Sequence, residues 1–391
     1  MTAPRLEIDL RKLHHNARSL VTRLASRGIS VTGITKATLG SPAVAGAMLR
    51  AGVRSLGDSR IENLETLRAA GVTAPLTLVR SPMLSQVDRV VASATRSCNS
   101  ELAVITALSA AAEATGRTHG VVLMVELGDL REGILPGDLA GMVRRMQRLP
   151  AIVLAGIGTN LACQSGVAPD EANMGELSAL AYSIEARLGV TIGTVSGGNS
   201  GNLDWALGGA VPGRVNDLRL GESILLGCEP LHRTPIEGLH TDAITLVGEV
   251  IESQRKPSSP RGELGQTAFA TPAPAREDRG DRVRTIVALG HQDVDPSGLR
   301  APAGIEVLGA SSDHLIVAAG PDRLPVGTEL SFRLNYSALV RAMTSPYVDQ
   351  VVTFTDDDAP VPAADEARGG QAGAATPART ITGNTRSVFR S

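Results

Sequence analysis

Residues 31–57 read VTGITKATLGSPAVAGAMLRAGVRSLG, and this stretch decides the fold. The apolar run at 31–36 has the length and β-branched content of a buried parallel strand, and a second run follows at 53–57. Between them, residues 41–51 open on a Ser-Pro cap and continue through small helix-forming side chains. A strand, a helix and a strand in so short a span form the building unit of a parallel sheet. Working outward, the unit recurs. Further apolar runs lie at 76–80, 94–99, 121–127, 152–159, 191–197 and 219–227, with helix-like stretches at 60–70, 101–115, 136–148 and 169–187. Eight parallel strands close a barrel, so the expected fold is α/β, a (β/α)8 TIM-type barrel over residues 1–239. A doubly wound open sheet would give the same alternation if the run near 94–99 or 219–227 were not a strand.

After residue 239 the pattern changes. Runs at 243–252, 284–290, 305–309, 314–319 and 329–334 are separated by Gly, Pro and Asp turns, which predicts a smaller all-β domain over 240–354. An insertion at 256–282 is rich in Pro, Gly and charge, and the tail at 355–391 has too few large apolar residues to offset its ordering entropy, which predicts disorder there. Composition narrows the function classes. Thirty-eight basic against 40 acidic side chains and 2% aromatic residues give neither the charge nor the stacking surface for nucleic acid or an anionic membrane. Cys98, Cys163 and Cys228 are odd in number and widely spaced, which fits no disulfide framework or metal-ligand spacing and points to a reducing cytoplasm, with no metal expected. The first residues hold no apolar signal core, and no apolar run reaches the ~18 residues of a membrane span.

Lys36 stands at the carboxyl end of the first predicted barrel strand, where barrels of this type place catalytic groups. The apolar strand around it is expected to desolvate the ammonium, as a Schiff-base lysine requires; an exposed strand-end lysine is the alternative. The turn Ser196-Gly197-Gly198-Asn199-Ser200 follows the seventh run, where such barrels bind phosphate, and it can aim backbone N–H groups at an anion. An ordinary glycine-rich turn would read the same. Arg219 lies across the mouth from Lys36, either facing a cofactor nitrogen or paired with Asp217 or Glu222. Arg131 can grip a carboxylate bidentately, with Asp129 and Glu132 available to a second ammonium group, or the three can form a plain charged loop.

Taken together, these residues resemble the alanine racemase superfamily, and more closely its branch of ornithine racemase and related amino-acid racemases. The resemblance runs from about residue 4 to 352. It rests on Ile34-Thr-Lys36, Gly128-Asp-Leu-Arg-Glu-Gly133, Gly158-Thr-Asn-Leu-Ala-Cys163, Ser196-Gly-Gly-Asn-Ser200, the segment 219–227, Gly290-His-Gln-Asp-Val-Asp295, Gly309-Ala-Ser-Ser-Asp-His314 and Ala342-Met-Thr-Ser-Pro-Tyr347. It implies a racemase of a free small or basic amino acid, ornithine first and alanine second, with pyridoxal 5'-phosphate held by Lys36. It also implies a homodimer in which the β domain of one copy completes the barrel site of the other. The cofactor contacts implied are Lys36, Asn160, Ser196, Gly197, Gly198, Asn199, Ser200, Arg219 and Tyr347; the substrate contacts are Arg131, Ser312 and Asp313.

Departures from the family pattern are equally informative. Phe269 stands where the family has a catalytic tyrosine, Asn160 where a histidine is usual, and Leu39 where a tyrosine follows the lysine. Racemisation needs proton exchange on both faces of the α-carbon. Lys36 serves one face, while His291 and Asp293 are the leading candidates for the other, ahead of Asp313, His314 and Cys163. Two other chemistries fit the same residues: a decarboxylase, aldolase or dehydratase of this fold, and a non-catalytic pyridoxal-phosphate carrier.

Overall fold

The computed structural model describes residues 2–269, 280–353 and 381–382. These residues divide into two compact units, one of Leu10–His240 and the other of 2–9 with the described residues from Thr241 to 353 and 381–382. Strand β1 (Arg5–Asp9) belongs to the second unit. The first unit is a closed barrel of eight parallel strands: β2 (Ser30–Ile34), β3 (Ser55–Asp58), β4 (Leu76–Leu78), β5 (Arg96–Asn99), β6 (His119–Met124), β7 (Ile152–Gly158), β8 (Thr194–Ser196) and β9 (Asp217–Leu220). β9 returns to β2 with Thr32 opposite Arg219, so the ring is shut and the open-sheet alternative is excluded.

Its helices are α1 (Leu10–Ala25), α2 (Pro42–Arg50), α3 (Ile61–Ala69), α4 (Val87–Ser93), α5 (Leu102–Ala114), α6 (Leu139–Met146), α7 (Glu171–Leu188), α8 (Leu203–Leu207) and α9 (Glu222–Leu226). Local chemistry sets their ends. Ser41 caps α2 by accepting from Val44 N with Pro42 in the first turn, and Asp170 and Asn173 form a reciprocal capping box on α7. One sequence expectation needs correction: the run at 219–227 is not one strand. β9 stops at Leu220, and α9 ends at Gly227 in the left-handed region. Ser223 through Leu226 are all buried, and so short an apolar run as Ile224–Leu226 does not distinguish a buried strand from a buried helix.

The second unit is a sheet of β1 with β10 (Ile244–Pro257), β11 (Asp281–Val287), β12 (Leu299–Arg300), β13 (Glu306–Ala310), β14 (Leu315–Ala318), β15 (Glu329–Leu334), β16 (Asp349–Thr353) and β17 (Ile381–Thr382), followed along the chain from β15 by one helix, α10 (Tyr336–Thr344). β10 is long enough to pair with β1 and β15 along its first half and with β11 along its second, its register shifting between Val250 and Glu252. β1 was counted with residues 1–239 by sequence; the structure pairs it antiparallel with β10 and parallel with β16. Its partners lie hundreds of residues away, so no local pattern signals them. Leu6 and Ile8 are fully buried there, and Arg5 forks onto Glu329 at 2.6 and 2.7 Å. Most of the expected tail at 355–391 lies outside the described residues, as does 270–279 of the expected insertion. Among the described residues, no helix is long and apolar enough to cross a membrane.

Candidate active site

Lys36 opens a single 3-10 turn, Lys36–Thr38, directly after β2. Thr35 anchors that turn: its N–H donates to Gly57 O at 2.9 Å and its hydroxyl to Asp58 Oδ2 at 2.8 Å. Asp58 is fully buried at the end of β3 and also accepts from Arg60 N and Asn63 Nδ2, each at 2.9 Å. Burial pushes its carboxyl up from the usual range, while those donors pull it back. Leu39 then takes a left-handed conformation at φ 52, which turns the chain into α2. The lysine itself is exposed, not enclosed by the apolar strand as expected from sequence. The strand is buried; the turn lifts Lys36 out of it. Its electrostatic neighbour is Glu222 of α9, a carboxyl raised by burial and drawn back by Arg233 and Lys36.

Arg219 is 7% exposed and fixed at three points. Its Nη1 donates to Ser196 Oγ at 2.6 Å, and its Nη2 donates to Thr159 O at 2.6 Å and Asn160 Oδ1 at 3.3 Å. Ser196 Oγ donates to Asp217 Oδ2 at 2.6 Å, and Asp217 Oδ1 accepts from the Thr32 hydroxyl at 2.7 Å. Arg219 therefore meets Asp217 through a hydroxyl, and Glu222 pairs instead with Arg233. Ser196 is set inside this network, its hydroxyl committed at both ends. Asn160 has an unusual balance. Its oxygen accepts from Arg219 and from Asn199 Nδ2, while its Nδ2 is buried without an acceptor.

The glycine-rich turn continues from this network. Gly198 sits at φ 144, and a Cβ there would lie 2.2 Å from Asn202 Oδ1, so the turn requires glycine. Asn199 accepts from Gly201 N and donates to Leu161 O at 2.7 Å, tying the loop after β8 to the loop after β7. Gly197 N donates to Asp217 O at 3.0 Å. Ser200 Oγ lies 3.0 Å from Ser223 Oγ and accepts from Ser223 N at 3.2 Å, which joins the turn to α9.

The loop after β6 is organised by two carboxylates. Glu126 accepts from the N–H groups of Gly128, Leu130 and Arg131, and Asp129 accepts from Gln164 and Ser165 N, each at 3.0 Å. Asp129 is 1% exposed and ties two loops together, so it is not open to an ammonium group as the sequence suggested. Arg131 pairs bidentately with Glu132, through Nε and through Nη2 at 2.6 Å, and its pKa is raised by that bond; Cys163 is a further neighbour. Asp204, Glu229 and His232 bring possible ligand atoms within 4.8 Å of one another, but Glu229 already accepts from Leu231, His232 and Thr234.

In the second unit, the loops at 290–293 and 311–314 are zipped by His291 N to Ser311 O at 3.0 Å and Gln292 N to Ser312 O at 2.9 Å. This brings His291, Asp293, Ser312 and Asp313 together. The His291 ring stacks on Phe269 with centroids 3.9 Å apart. Asp293 is 7% exposed, accepts from Gly290 N at 2.8 Å, and is pushed up by burial. Asp313 accepts from the hydroxyls of Ser311 and Ser312 and faces His314 Nδ1 at 2.7 Å. Tyr347 is exposed beyond α10 in this unit. Sequence reasoning missed Asp58, Thr159, Asp217 as a proton acceptor, and Ser223; for Asp58 the available signal was a lone carboxylate at a barrel-strand end.

Residues 8–229 match the family described as alanine racemase, N-terminal domain. Lysine racemase of Thermotoga maritima is 36% identical over 353 residues, covering 90% of this chain and 99% of that protein. Ornithine racemase of Acetoanaerobium sticklandii is 36% identical over 351 residues, 89% and 99% of the two chains. The crystal structure of alanine racemase from D-cycloserine-producing Streptomyces lavendulae superposes with a TM-score of 0.71 over 91% of this chain and 99% of that one, at 20% identity.

Proposed function

The chain belongs to the alanine racemase family, and from that premise we propose that it is a pyridoxal-phosphate-dependent racemase of a free basic amino acid, ornithine or lysine. The observation that carries this reading is likeness from end to end to racemases of those two amino acids. Pyridoxal phosphate, when bound, supplies an electron sink that acidifies the hydrogen on the substrate's α-carbon. The residues present fit it. Lys36 offers an exposed primary amine, the turn at 198–200 offers the N–H groups of Gly198 and Ser200 and the Ser200 hydroxyl to the phosphate, those of Gly197 and Asn199 being bonded to Asp217 O and Asn202 Oδ1, and Asn160 Nδ2 is a buried donor lacking an acceptor. Arg219 carries five donors and no acceptor, so beside a ring nitrogen it would oppose protonation there and favour proton return over transamination.

The Lys36 amine, once released, is assigned to move the α-hydrogen on one face. His291 of a second copy is assigned to the other face, because an imidazole carries both a donor and an acceptor nitrogen and can take up a proton or return one. Asp293, buried and held by Gly290 N, is assigned to shape the loop that presents His291. Ser312 and Asp313 would meet the substrate, and Tyr347 the cofactor, from the same second copy. Support for such a cover comes from Leu39, Met83, Leu84, Leu130 and Leu135, all exposed in loops following barrel strands. The test is chiral chromatography of L-ornithine and L-lysine incubated with the cofactor-loaded protein. Both should approach equal mixtures of enantiomers, and Lys36→Ala should lose turnover together with the yellow chromophore. Optically unchanged substrates, or borohydride labelling of another lysine, would sink the reading.

A further inference from the structure

Of the three carboxylates on the loop after β6, Glu126 and Asp129 are occupied by backbone N–H groups, whereas Glu132 faces the Arg131 side chain. The two partners are 38% and 26% exposed, so substrate can reach them without unfolding the loop. The loop follows the carboxyl end of β6 as the Lys36 turn follows that of β2, so the pair stands on the same face of the barrel as Lys36.

Resting on the reading that the substrate is a basic amino acid, we propose that the Arg131–Glu132 pair mimics the substrate's own two charges and selects for them. The α-carboxylate takes Arg131 and the side-chain ammonium takes Glu132, so one internal ion pair opens into two external ones. Both protein charges are matched again after exchange. An amino acid with a neutral side chain would take Arg131 and leave Glu132 unmatched in a half-enclosed site, a penalty built against the wrong substrate. Glu126 and Asp129 cannot substitute, because withdrawing either would release the backbone of the loop that carries Arg131.

The experiment compares wild type, Glu132→Gln and Glu132→Asp on ornithine and lysine against norvaline and norleucine, which match their chain lengths without the charge. Glu132→Gln should lower kcat/KM for the two basic substrates about 10- to 100-fold, the worth of one hydrogen bond to a charged group, and leave norvaline equal or improved. Glu132→Asp, with a shorter reach, should retain lysine better than ornithine. Inhibition supplies a second measurement: 5-aminopentanoate should bind wild type better than pentanoate, and Glu132→Gln should erase the difference. An equal loss on charged and uncharged substrates would mark Glu132 as merely structural and overturn the inference, as would unchanged turnover of ornithine. Failure of wild type itself to racemise any basic amino acid would instead sink the reading of function, and it would be seen before any variant is compared.

Discussion

His119, at the start of β6, is 1% exposed, and burial lowers its pKa from 6.5 to about 4. Ser97 Oγ lies 2.8 Å from its Nε2 and itself accepts from Asn99 Nδ2, an arrangement suited to a neutral ring. Because the folded pKa is depressed, the unfolded chain binds the extra proton first as pH falls. The stabilisation is complete above pH 6.5 and is lost as pH drops toward 4, a change on the order of 3 kcal/mol. Thermal melts across that window should therefore fall more steeply for wild type than for His119→Gln; parallel curves would refute the assignment. The strand-end positions of Lys36 and Arg219 were legible in the sequence because short apolar runs mark the barrel strands that carry them. Lys36's exposure, Asp58's latch on its turn and the commitment of Ser196 to Arg219 were not, since each depends on contacts between loops that the chain order keeps apart.

Among the elements, the turn between β8 and α8 shows how little sequence is needed to fix a site and how exacting that sequence is. Gly198→Ala would drive a Cβ to 2.2 Å from Asn202 Oδ1, breaking the bond that Asn202 Oδ1 accepts from Asn199 N and the one that its Nδ2 donates to Gly197 O. We expect cofactor affinity to fall at least about tenfold while the barrel stays folded, since strain at one such turn costs on the order of 1–3 kcal/mol against a far larger core. Absorbance titration with pyridoxal phosphate beside a thermal melt checks this; unaltered affinity would mean that the turn does not hold the phosphate. The alternation of strands and helices was legible over most of the barrel because short apolar runs alternate with longer helix-like stretches such as 41–51 and 169–187, which open on the caps Ser41 and Asp170. α9 was not, because five residues are too few to show a helical period and the run Ile224-Leu225-Leu226 with its glycine boundary also suits a strand.

Over the whole molecule, the barrel unit is continuous in sequence and the β unit is not. The change of pattern after residue 239 was readable; that Arg5–Asp9 crosses back to complete the second unit was not, because sheet pairing at that separation leaves no local trace. Deleting residues 2–9 should leave the barrel's protease resistance near wild type while exposing β10 and β16, which lose their shared neighbour. Limited proteolysis with mass mapping would show first cuts after residue 241; cuts spread evenly over both units would contradict it. Synthesis adds a timing problem. Arg5–Asp9 is made before either strand it pairs with, and Asp349–Thr353 follows it after an interval of roughly tens of seconds at 5–20 residues per second. Until then the edge that β16 will cover stays open. Arg5, Glu7 and Asp9 alternate with Leu6 and Ile8 along it, so a charge at every second position discourages pairing with the wrong edge until the right one is made.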